Sequence, residues 1–282
     1  MKKLVFTLAT CCIMCACEQK TETNPFFTEF RTEYGAPDFD KIKIEHYEPA
    51  FLKGIEEQNA EIKAIVESRE TPGFENTIVA LDNSGRTLAR VKGVFYALTE
   101  ADTNDEMSAL SEKIAPVLSE HNDNIYLNQD LYKRVAAVWQ QEQEGKITLT
   151  TEQHRLLDRY YKAFIRSGAG LDAGKQNRLR EINKELSTLA ITFSNHVLNE
   201  NNAYRLVIDN EAELAGLPEW VKTGAAEEAK AVGKEGKWLF TLQNSSRLPL
   251  LQYADNRELR KDIYEAYINR GNNGDANDNK EI

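Results

Sequence analysis

Beyond residue 17 this 282-residue sequence has no cysteine; its four, Cys11, Cys12, Cys15 and Cys17, crowd into the N-terminal segment. The rest of the chain can therefore hold no disulfide, no thiolate nucleophile and no cysteine-bound zinc. No two of its four histidines, His46, His121, His154 and His196, stand four apart, so no His-Glu-x-x-His helix can offer two imidazoles to one metal. A Gly-x-Ser-x-Gly elbow is missing, which removes the serine-hydrolase arrangement. A Walker-type phosphate loop is missing too. Gly168 and Gly170 have Gly-x-Gly spacing but follow a helical pattern, so a dinucleotide site fails on context. Basic residues are in deficit: 35 Lys and Arg against 45 Asp and Glu give a formal charge of −10. An acidic surface repels phosphate, which argues against nucleic acid as a partner. No repeat of fixed period runs along the chain, so a solenoid is not expected.

Apolar residues make up 41% and charged residues 28% of the chain, the mix of a soluble protein with a core. The one long apolar run is at the start, where Met1-Lys2-Lys3 precedes Leu4 to Ala16. Two lysines and a short apolar stretch make a secretory signal, too short for a comfortable membrane span. Polar, turn-prone residues follow at once, which disfavours a buried N-terminal strand or helix. Cys12 and Cys15 have Cys-x-x-Cys spacing, but a signal core offers no second ligand pair. Ile13-Met14-Cys15-Ala16-Cys17 resembles a bacterial lipobox, although Met14 and Cys15 are not the favoured residues there. Cleavage after Ala16 would leave Cys17 as a lipidated first residue; simple secretion is the alternative.

Residues from about 18 to 40 read as a polar tether and an extended arm. Pro25, Gly35 and Pro37 break helix, and Phe26, Phe27, Phe30 and Phe39 are placed to pin the arm onto a body. From Tyr47 the spacing is helical: Phe51, Ile55, Ile62, Ile65 and Val66 recur on one face, and Thr71-Pro72-Gly73 ends the run. A second stripe, Ile78, Leu81, Leu88, Val91, Phe95 and Leu98, predicts one helix with Ser84 and Gly85 inside it, where small residues would let another helix come close. Helices follow over about 104–121, 128–145 and 151–167, the last opened by a Thr150/Gln153 capping box. Leu179, Ile182, Leu186, Leu189, Phe193 and Val197 make the most regular stripe of the chain. Its other face, with Lys184, Glu185 and Asn195, reads as solvated, as does the Glu181/Glu185 pair. Strands are expected at 204–208 and 237–242, around an interrupted helix over 211–232. Leu248-Pro249-Leu250 is expected to begin a loop, and a last helix runs over about 255–270. The final residues, 271–282, read as a frayed tail or a connecting loop. Asp275 to Asn279 alternates oxygen ligands, but without the sixth-position glycine a calcium loop needs. Each histidine reads as a surface or satisfied core residue.

Several runs resemble a known family. Asn24-Pro25-Phe26-Phe27 and Phe39 through Phe51 are similar to the start of peptidyl-dipeptidases. Phe74-Glu75-Asn76-Thr77-Ile78, with Leu81 and Ser84-Gly85, resembles the family's Phe-Glu-Asn-Thr element. Tyr253 through Arg260, then Ala266-Tyr267 and Arg270-Gly271, resembles the segment leading to its catalytic half. The resemblance is to the thimet-oligopeptidase-like zinc metallopeptidases. It implies a mainly α fold: a helical lobe with a small α/β insertion, like the N-terminal half of a two-lobed, channel-type enzyme. It implies a signal over 1–16, a lipid-anchored tether and arm over 17–40, a helical domain over 41–200, an α/β segment over 201–243 and the start of a catalytic-side region over 244–282. Zinc is the family's cofactor, bound in the family by a His-Glu-x-x-His helix and a downstream glutamate. No catalytic or metal residue can be carried onto this chain, which is expected to bind no zinc and to be inactive alone. The implied partners are short unstructured peptides, a catalytic C-terminal half of the same protein, and a membrane reached through lipidated Cys17, on the periplasmic or cell-surface side. The substrate-binding residues are not identifiable. The rival expectation is a stand-alone helical lipoprotein that captures peptides or glycans.

Overall fold

A computed structural model describes residues 24–282; the signal and Cys17 lie outside the described residues. The arm is a series of 3-10 turns rather than an extended strand, because Asn24 caps Pro25–Phe27 and further turns fall at Glu33–Gly35, Phe39–Lys41 and Ile44–His46. Phe26 is fully buried against Tyr47 at 5.2 Å between rings, and Arg90 donates to its carbonyl. Phe39 does not dock; it stays 53% exposed.

Helix α1 (Tyr47–Glu67) is followed by a π-helical turn at Phe74–Val79, then α2 (Ala80–Asp82) and α3 (Arg86–Ala101). The single helix expected through Ile78 to Leu98 is thus broken at Gly85, which has φ +72°. The break is built in. Gly85 donates its N–H to Glu61, and a Cβ there would sit 2.4 Å from the Gln58 side chain. Gly85→Ala is therefore expected to lower stability by about 1–2 kcal/mol in urea unfolding, from left-handed backbone strain before any clash. The close helix approach that the sequence suggests does occur, but its small residue is on the other helix. A Cβ on Gly54 of α1 would lie 2.8 Å from the Leu88 backbone of α3.

Helices α4 (Asp105–Tyr126), α5 (Gln129–Gln143) and α6 (Thr151–Arg166) complete this part of the body. Two apolar clusters fill it. One joins Phe26, Tyr47, Phe51, Leu88, Phe95 and Ile114; the other joins Ile78, Leu131, Leu157 and Phe164. The Thr150 capping box forms as its spacing suggests, so Thr150→Ala should cost about 1 kcal/mol, read from the shift in thermal unfolding.

A polar knot ties α1, the α2–α3 break and α4. Gln58 Nε2 donates to Ser84 Oγ, so its Oε1 accepts from His121 Nε2 at 2.7 Å. The other ring nitrogen, Nδ1, is buried and unpartnered, so a proton there would have no acceptor. Burial, and then the Lys92 charge, hold the His121 pKa below the ordinary 6.5. The unfolded chain binds a proton here that the folded chain refuses. Stability from this group is complete above about pH 6.5 and declines as pH falls through that value towards the lower folded pKa. Urea midpoints should fall between about pH 7 and about pH 5, and His121→Gln should flatten that slope.

Helix α7 (Ala173–Ala203) is the longest element, and it packs against α4. Polar bonds join the two: Asn183 to Asp123 at 2.7 Å, Arg180 to Asn124 at 2.9 Å and Asn195 to Glu112 at 2.8 Å. Asn195 is thus not on a simply solvated face. Glu181 and Glu185 are exposed, as expected. Strand β1 (Leu206–Ile208) pairs antiparallel with β2 (Trp238–Phe240), Val207 opposite Leu239, and α8 (Glu219–Ala231) lies between them in sequence. The expected loop at Leu248-Pro249-Leu250 is instead helix α9 (Asn244–Tyr253), with Pro249 inside it. Burying Leu250 completely and most of Arg247 offsets the lost N–H bond of proline. The last helix is α10 (Arg257–Ile268). A third apolar cluster joins Ile208, Leu214, Phe240, Leu250 and Ile263. The fold is mainly α with one small two-stranded sheet.

Candidate functional site

An amphipathic helix normally buries its apolar stripe, but α7 does not. Leu186 is 56% and Phe193 49% exposed, Ile182 is exposed beside them, and no residue of α7 joins any of the three buried apolar clusters. The only buried residue of the helix is Glu200. Near its C-terminal end the stripe runs into a cavity of about 430 Å³ between α7, the β2–α9 turn and α10. Phe193, Val197 and Leu242 supply apolar wall; Asn201, Gln243 and Asn244 supply amides. A second cavity of about 280 Å³ shares Asn201 and Gln243 and continues past Arg205 and Glu228.

One guanidinium, that of Arg270, lines the first cavity, and a second, that of Arg247, lies against the Tyr267 ring outside the lining. The Arg247 and Arg270 Cζ atoms lie 3.5 and 3.8 Å from the centre of the Tyr267 ring. Two groups that close to one centroid can only lie on opposite ring faces. Arg270 donates through Nε to the Tyr267 carbonyl and through Nη1 to Asn201 Oδ1. Arg247 is buried, donates to Asn244 and leaves Nε unpartnered. The final residues brace this corner instead of fraying. Buried Glu200 accepts from Gly271 N–H at 2.6 Å and from the Asn273 amide at 2.9 Å. Asn279 meets His196 at 2.7 Å and donates to the Phe193 carbonyl.

Compared with curated proteins, the chain is 38% identical over 262 residues to the dipeptidyl carboxypeptidase of Escherichia coli (strain K12), which is 93% of this chain and 38% of that protein. The dipeptidyl carboxypeptidase of Salmonella typhimurium is 39% identical over 260 residues, again 38% of its length. Oligopeptidase A of Salmonella typhimurium is 32% identical over 258 residues, 37% of its length. This chain is a homologue of the dipeptidyl carboxypeptidases and oligopeptidases A. It spans less than two fifths of those relatives' length. No family model matches it.

In this peptidase homologue the histidines do not converge. His46 Nδ1 accepts from the Lys43 N–H, His121 is tied to Gln58, His154 pairs with Glu142 and His196 with Asn279. Among the described residues no group of three or more His, Cys, Asp or Glu side chains could hold a metal ion. The Asp275–Asn279 run is closed on itself, with Asp278 accepting from Gly274 and Lys280 N–H groups. What the homologue does assemble is a groove with an apolar wall, amide donors and acceptors, and the cation of Arg270, with Arg247 on the Tyr267 ring nearby. Such a surface, part apolar and part amide, has the make-up of a ligand cleft. Sequence reasoning reads the stripe of α7 and meets Tyr267 and Arg270 as part of the family resemblance. It misses Asn201, Asn244 and Arg247, because the turn that brings them together spans three elements.

Proposed function

We propose that this chain is a substrate-channel wall of a zinc-dependent peptidase, of peptidyl-dipeptidase or oligopeptidase type, that hydrolyses short unstructured peptides. The observation carrying this is the 38% identity to a dipeptidyl carboxypeptidase over 93% of the chain. The unburied stripe of α7 supports it, because a long apolar face at that exposure calls for a covering surface or a peptide path. The described residues do not fit a zinc site, so the metal is assigned to polypeptide outside the described residues. In this reading the helical body restricts entry to narrow, unfolded peptides, and lipidated Cys17 tethers the enzyme outside the cytoplasm on a membrane.

The test is a chimera. The segment of the Escherichia coli dipeptidyl carboxypeptidase that aligns with this chain is replaced by residues 24–282. The chimera should release C-terminal dipeptides from blocked peptides and lose that activity to a chelator. A folded, zinc-loaded chimera that hydrolyses nothing would count against the reading. A second reading is a stand-alone helical lipoprotein that captures peptides or glycans. It requires binding without hydrolysis.

A further inference from the structure

We propose that the Arg270 corner of the α7 groove is a carboxylate subsite, which takes a carboxylate joined to an apolar group, as at the C-terminal end of a short peptide. The choice of a peptide as ligand rests on the reading above; the carboxylate chemistry does not.

The charge pattern points there. The chain is acidic throughout, yet the only charged side chain lining this cavity is the cation of Arg270. Among the described residues neither Arg270 nor Arg247 has a carboxylate within ion-pair distance. The nearby buried acid, Glu200, accepts from Gly271 and Asn273 through Oε2, while its Oε1 is buried without a hydrogen-bond partner. A guanidinium has five N–H donors in a fixed fork, and Arg270 has two of its interactions accounted for. The rest of the fork is free to meet a two-oxygen acceptor, the geometry in which guanidinium–carboxylate pairs are strongest. Arg247 adds a second positive charge behind Tyr267, buried and with one N–H unpaired, which raises the potential of the corner. Tyr267 holds both guanidinium planes, so little side-chain freedom is lost when an anion arrives.

The apolar half of the ligand follows from the opposite wall. Phe193, Val197 and Leu242 face the space beside Arg270, and burying one medium apolar side chain there is worth about 1.5–3 kcal/mol. The amides of Asn201, Gln243 and Asn244 match a peptide main chain better than an alkyl chain. A fatty acid shares the carboxylate and the apolar group but has no main chain to pair.

The full 282-residue chain is titrated calorimetrically with N-acetyl-Leu-Phe as the free acid, with its C-terminal amide, and with octanoate. The free acid should bind at least about tenfold more tightly than the amide, the difference a charge-assisted pair makes. Octanoate should bind more weakly than the free acid. Arg270→Gln, with its helical circular dichroism unchanged, should bind acid and amide equally weakly. Phe193→Ala, an exposed position with little risk to folding, should weaken the acid and spare the acid-to-amide ratio. Equal binding of acid and amide by the parent chain, or no binding of either, would overturn the proposal, and that comparison stands even if Arg270→Gln fails to fold. Octanoate binding more tightly than the peptide would overturn the peptide assignment. Failure here leaves the chimera's hydrolysis unaffected, and an inactive chimera leaves this titration readable, so the two failures are distinguishable.

Discussion

Phe95→Ala is expected to remove about 3–5 kcal/mol of stability, a large share of what holds a domain of this size together. Phe95 is fully buried on α3, where it is the ring that joins two elements. It meets Tyr47 at 5.1 Å and Phe51 at 5.3 Å, both edge-on, and both partners stand on α1. Phe26 of the arm then rests on Tyr47. Deleting the Phe95 ring opens a cavity that its neighbours cannot close, because Gly54 and Leu88 already bring the α1 and α3 backbones together. The arm should loosen along with the core. Urea unfolding of the variant, with hydrogen exchange read at Phe26 and Tyr47, checks both effects. A loss under about 1 kcal/mol would mean that α1 and α3 are not joined through these rings.

Phe193→Asp and Leu186→Asp should separate two settings of the same helix. In the chain by itself both positions face solvent, and the substitutions should shift stability by no more than about 0.5 kcal/mol. In the complete peptidase proposed above, the same stripe meets a covering surface or a peptide. An unpaired carboxylate forced into an apolar contact costs several kcal/mol or moves the contact apart. Hydrolysis by the chimera should therefore fall by more than about tenfold for either variant, where each 1.4 kcal/mol is a factor of ten. Parent-like activity in both would show that the stripe of α7 takes no part in the enzyme.

The helices whose apolar residues keep helical spacing and are closed by strong punctuation were legible from the residues alone. Thr150 with Gln153 marks the start of α6 to the residue, and the interruption between Gly216 and Pro218 separates a 3-10 turn from α8. Two elements were misread for one reason, namely that a local rule lost to a tertiary contact. Gly85 looked like a small residue inside one continuous helix that would let another helix come close, but it stands in the left-handed region beside Glu61 and Gln58 of α1 and divides the helix. Pro249 looked like the start of a loop, but the burial of Leu250 keeps α9 continuous through it. The Asn-rich final residues looked frayed because their partners, Glu200, His196 and the Phe193 carbonyl, lie on a helix 71 to 86 residues earlier. The groove was only half legible. Its wall has a period, whereas its polar corner is a meeting of α7, α9 and α10 that no spacing encodes.

The central claim is that these residues form part of a working metallopeptidase. It is tested most directly by isolating, from the organism that makes it, the protein that carries this sequence, and incubating it with a blocked tetrapeptide. The account predicts that a C-terminal dipeptide or a comparable short fragment appears, that a chelator stops its release and that added zinc restores it. Intact tetrapeptide after prolonged incubation with zinc-replete, folded protein would contradict the account.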